Sequence, residues 1–124
     1  MRTVSFSIVL LLLTGCSVEQ GNDLECPTPQ TGNVAGAISE SRAQITATGD
    51  QLALGGATQI AEVVNALRAR HPDASNGAIV NYMVTAYCPT LNRQSSSDRV
   101  EKKAKLTAFS TRVEGYLFGP SKVR

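Results

Sequence analysis

Residues 78 to 89 read Ala78-Ile79-Val80-Asn81-Tyr82-Met83-Val84-Thr85-Ala86-Tyr87-Cys88-Pro89, the most apolar stretch beyond the first fifteen residues. On a helical wheel Ile79, Val80, Tyr82, Met83, Val84, Ala86 and Tyr87 cover about two-thirds of the circumference, leaving Asn81 and Thr85 on the remainder. A helix apolar over that much of its surface is packed on more than one side, so this segment is predicted as the central element of a helical domain. Asp73-Ala74-Ser75 offers it a choice of N-caps, and Pro89 predicts its end directly after Cys88.

Working outward, Ile60, Val63, Val64 and Leu67 share one face of a helix expected from Ala57 to Arg70. Arg68, Arg70 and His71 oppose the dipole in its last turn, and Pro72 ends it. Leu54-Gly55-Gly56 separates it from an earlier stripe of Val34, Ile38, Ser41, Ile45, Thr48 and Leu52, which predicts a helix with Asn33 as N-cap. Gly36 and Gly49 count against that helix. The alternative is a hairpin, with strands at 45–48 and 51–54 around a Gly49-Asp50 turn. A lone hairpin is marginal and nothing else in the chain offers it a sheet, which favours the helix.

On the other side, Ser95-Ser96-Ser97-Asp98 is a hydrophilic linker ending in a capping signal, with Asp98 three residues before Glu101. A last helix is expected from there to about Phe118. Its stripe is Leu106, Phe109, Val113, Tyr116 and Leu117, with Asp98 to Lys102 and Glu101 to Lys105 at the favourable spacing of four. Gly119-Pro120 closes it and residues 120–124 are a tail. Short connections between such helices predict an all-α fold, a small bundle of about four helices in which the residue 78–88 helix is wrapped by the other three.

The whole chain has 124 residues, 42% apolar, 5% aromatic and 18% charged, which allows one domain and is not the composition of a disordered chain. A net charge of +2 is too small for a strongly basic nucleic-acid binder, so no nucleic-acid partner is expected.

The N-terminus has the organisation of an export signal. Arg2 precedes an apolar run of about ten residues that stops at Thr14-Gly15, half the length of a spanning helix. Leu13-Thr14-Gly15-Cys16 resembles the lipobox of bacterial lipoproteins. That resemblance covers about the first 20 residues and implies cleavage of residues 1–15, with Cys16 becoming a lipid-bearing N-terminus. Ser17 after the Cys implies an outer-membrane address facing the periplasm. The alternatives are a plain secreted protein cut near Gly15 and an uncleaved anchor. Cys16 to Glu25 carries three acids and no apolar periodicity, and is expected to be a flexible tether of roughly 30 Å at full extension. Two or three acyl chains would anchor it stably to the membrane.

Three cysteines would leave an odd thiol in an oxidising compartment. With Cys16 acylated, Cys26 and Cys88 remain as a disulfide pair at the start of the domain, 26–119, and the end of its central helix. The rival reading is a metal or redox pair, but there is no CxxC and no nearby His; the absence of CxxCH excludes a c-type haem.

Charge is uneven: residues 16–64 hold six acids and one base, whereas residues 65–124 hold ten bases and four acids. Arg99, Lys102, Lys103 and Lys105 form a candidate basic surface for anionic lipid or an acidic partner. The alternative is a solvated helix face partly neutralised by Asp98 and Glu101.

Catalytic machinery is not visible. His71 is the single histidine, without an HExxH or HxH partner, and its place at a helix end explains it. There is no G-x-S-x-G, S-x-x-K or phosphate-cradling loop. Of the carboxylates, Glu62, Asp73, Asp98, Glu101 and Glu114 have cap, turn or helix-face explanations, whereas Glu40 and Asp50 do not. No metal, cofactor or enzymatic activity is expected. Residues Asn81 to Pro89 are similar to a segment of small exported Gram-negative proteins of uncharacterised function, a resemblance that implies no activity. Tyr82 and Tyr87 are expected in the core with hydroxyls at its rim. Two function classes follow: a structural or protein-interaction module of the envelope, and a small exported enzyme or enzyme inhibitor with a site hidden from the sequence.

Overall fold

The computed structural model describes residues 21–29 and 37–119. The expected signal segment, Cys16, Asn33, Val34 and the tail lie outside the described residues. Among those described there are four helices and no strand: α1 (Arg42–Ala53), α2 (Ala57–Arg70), α3 (Asn76–Asn92) and α4 (Arg99–Phe118). Cys26 and Cys88 are joined by a disulfide, with Cα atoms 5.6 Å apart.

α1 begins well after the expected start near Asn33. Ser41 is extended and accepts from the Gln44 amide at 3.2 Å, while Gln44 Oε1 accepts from the Ser41 amide at 2.9 Å. This reciprocal box satisfies two orphan donors and fixes the boundary there. Ile38, expected on the helical stripe, is buried from a non-helical segment instead. The hairpin alternative is excluded, because residues 42–53 form one continuous helix. Gly49 has a packing role in it: a Cβ at this position would collide with the Ala86 carbonyl oxygen of α3, so the two backbones approach directly.

α2 has the expected bounds and buries Ile60, Val63, Val64 and Leu67. Gly55 and Gly56, at φ +79° and +99°, make the turn between α1 and α2 in a region that L side chains rarely adopt.

α3 is longer than expected, starting from the Ser75 cap and running through Pro89 to Asn92. Proline deprives the Thr85 carbonyl of its amide partner, a local cost that the extra turn offsets by burying Thr90 and Leu91. The Pro89 ring itself is exposed. α3 packs mainly against α1 and α4, while α2 packs against α1 and α4. α2 reaches the same core with Val63, Val64 and Leu67, and its Arg68 donates to Asn76 of α3 at 3.3 Å, while Gly77, Asn81 and Pro89 of α3 remain at the surface.

α4 starts with Asp98 accepting from the Glu101 amide at 2.8 Å, and ends at Gly119 with φ +76°. It buries Phe109 and Val113, and Phe109 stacks on Tyr87 of α3 with ring centroids 4.1 Å apart. Tyr116, expected in the apolar stripe, is 45% exposed.

Candidate functional site

Three polar or concave features stand out from the helical frame. The first is a cleft of about 540 Å³ between the Pro27 to Pro29 segment, Ile45 of α1, and Ala78, Tyr82 and Thr85 of α3. Its walls mix apolar side chains with the hydroxyls of Thr28, Ser75, Tyr82 and Thr85 and the amide of Asn81. Among its described lining residues Tyr82 is the only ionisable group, so it offers no carboxylate, imidazole or thiol for catalysis. Burial pushes the Tyr82 phenol up to about 12, which keeps it neutral at physiological pH. Its hydroxyl lies 3.4 Å from Thr48 Oγ1 of α1.

The second is centred on Glu40, whose side chain is 2% exposed just before the α1 cap. Arg70 donates to its Oε1 at 2.8 Å, and His71 Nε2 stands 3.8 Å from its Oε2. Burial alone would raise the Glu40 carboxyl, but the hydrogen bond and charge of Arg70 outweigh it, and the carboxyl lies below its ordinary range. The Glu40 bond correspondingly raises Arg70. Glu40 Oε2 and His71 Nε2 are buried without a hydrogen-bond partner. The arrangement ties the segment leading into α1 to the last turn of α2. A carboxylate held as an ion by its own arginine is a poor general base, so the geometry favours a strut.

The third lies at the disulfide end. Asn92 Oδ1 accepts from the Leu24 amide at 2.7 Å, and its Nδ2 donates to the Leu24 carbonyl at 2.9 Å. Lys102 Nζ donates to Asp23 Oδ1 at 3.2 Å. Residues 23 and 24, expected in the flexible tether, are thus docked on α3 and α4.

This docking dismantles most of the expected basic surface. Lys102 is 2% exposed and lies inside. Lys105 is half-buried, bonded to Gln94 and Ser97 at 3.2 Å each and paired with Glu101 at 3.3 Å. Only Arg99 and Lys103 of the four cations are exposed without a salt bridge among the described residues. The expected disulfide residues Cys26 and Cys88 are together, and the expected lipidation residue Cys16 lies outside the described residues. Asp50, which had no sequence explanation, pairs with Arg93 at 2.8 Å.

Among the described residues no group of three or more His, Cys, Asp or Glu side chains converges as a metal site, and no helix is long and apolar enough to cross a membrane. Comparison of the chain with protein-family models, curated proteins and solved structures finds no match.

Proposed function

We propose that the chain is a bacterial cell-envelope lipoprotein, anchored through lipid on Cys16 to the outer membrane and facing the periplasm, whose helical domain acts by binding a neighbouring protein. The observation that carries this reading is the Cys26 to Cys88 bond, which uses two of the three cysteines and leaves the remaining one in Leu13-Thr14-Gly15-Cys16. A disulfide fits an oxidising compartment outside the cytoplasm. With Asp23 docked on Lys102, the tether shortens to residues 16–22, or roughly 23 Å at full extension. The domain then works within one tether length of the bilayer.

Ligand capture is the second reading, favoured by the cleft, whose volume falls in the range of small-molecule pockets. In that reading the protein is a small exported enzyme or inhibitor rather than a scaffold. Membrane fractionation of Cys16→Ala tests the anchor. Loss of the protein from the membrane fraction is the expected result, and a variant that remains anchored and normally cleaved overturns the lipoprotein reading. Titration of the purified protein with a small-molecule library separates the two classes of activity, since a saturable ligand in the cleft favours capture.

A further inference from the structure

The outward side of α4 presents Val100, Ala104, Thr107, Thr111, Gly115 and Phe118, all exposed and spaced by three or four residues along a single line. Val100 is 79% and Phe118 64% exposed, and a Cβ built on Gly115 would meet nothing within 4 Å. The line is about 27 Å long and carries no charge. Its small central residues would let another helix approach closely.

The two flanks of this line are charged in a self-complementary way. Helical geometry puts Lys103 and Glu114 on one flank and Glu101 and Arg112 on the other. When a second helix runs antiparallel along the line, each flank meets its own copy. Lys103 then stands near Glu114 of the second copy and Glu101 near Arg112; the two pairings centre one residue to either side of the Thr107–Ala108 junction, so an axis there leaves each pair offset by about 3 Å along the helix. Lys103, Arg112 and Glu114 form no salt bridge within the chain among the described residues, and Glu101 pairs there only with half-buried Lys105, at 3.3 Å. Antiparallel rather than parallel packing also opposes the two helix dipoles.

We propose that this face of α4 binds a second copy of the chain, forming an isologous antiparallel helix pair with its two-fold axis beside Thr107 and Ala108. The pairing goes beyond the envelope reading and does not depend on the lipid anchor. A contact one helix wide is smaller than a standard stable interface, so the dimer is weak and salt-sensitive.

The test is sedimentation velocity of the full chain in detergent over a concentration series into the millimolar range, with circular dichroism as the folding control. The parent chain is expected to dimerise. Lys103→Glu is expected to weaken the dimer roughly tenfold, and Lys103→Glu combined with Glu114→Lys to restore it. Non-reducing electrophoresis fixes the orientation: Thr107→Cys should give a covalent dimer above the parent background, and Val100→Cys should not, because antiparallel pairing separates the two copies of residue 100. A parent chain that stays monomeric assigns the face to another partner and overturns the proposal. So does a dimer indifferent to the charge reversal, or one cross-linked by Val100→Cys.

Discussion

Lys102, four residues into α4, buries its side chain to 2% exposure and meets the Asp23 carboxylate at 3.2 Å, 79 residues earlier in the chain. Asp23 is 69% exposed, so the pair is screened on one side, and Asp23→Asn is expected to cost about 1 kcal/mol. Lys102→Ala is expected to cost about 2 to 3 kcal/mol, because it also empties the volume filled by the stem. Urea midpoints of the two variants check this order. Equal midpoints would mean that the stem contributes no packing.

Gly49→Ala improves helix propensity by about 1 kcal/mol, but places a methyl group against the Ala86 carbonyl oxygen. Separating α1 from α3 is expected to outweigh the gain, with a net loss of about 1 to 3 kcal/mol. The midpoint of chemical unfolding measures the sign, and a stabilised variant would show that the two backbones are further apart than described.

The depressed Glu40 carboxyl makes stability pH-dependent. A carboxyl lowered on folding stabilises fully above its unfolded value and loses that contribution as pH falls through the folded value. Stability of the parent should therefore decline below about pH 4.5. Glu40→Gln is expected to be less stable at neutral pH, by about 1 to 3 kcal/mol, and to show a flatter decline over the acid range. Unfolding curves from neutral to acid pH compare the two slopes, and parallel slopes would remove Glu40 as the titrating group.

The disulfide closes a loop with a sequence separation of 62 residues. Chain entropy for that length predicts a loss of about 4 kcal/mol for Cys26→Ser combined with Cys88→Ser. A thermal midpoint indistinguishable from the parent would contradict the contribution assigned to the bridge.

Elements whose signals are local were legible in the sequence. α2 lies between a glycine pair and His71-Pro72, and α4 between Asp98 and Gly119, as their caps predicted. The start of α1 differs from its sequence expectation because Ile38 keeps the helical spacing while serving the core from a non-helical segment. Ser41 with Gln44 was the capping signal present but not used. Pro89 reads as a stop in the sequence, yet burial of Thr90 and Leu91 carries the helix one turn further. The polar clusters were beyond sequence reading for a different reason. Glu40 to Arg70, Asp50 to Arg93 and Asp23 to Lys102 join residues distant in the chain, and no periodicity reports such pairs. Lys102 shows the consequence, since a cation in a basic run reads as surface and lies inside.

The lipid anchor is the central claim, and intact-mass measurement of the non-reduced protein from the membrane fraction tests it most directly. The account predicts a chain beginning at Cys16 with diacylglyceryl and N-acyl groups attached, and with Cys26 bonded to Cys88. A chain carrying an unmodified Cys16, or found only in the soluble fraction, would contradict it.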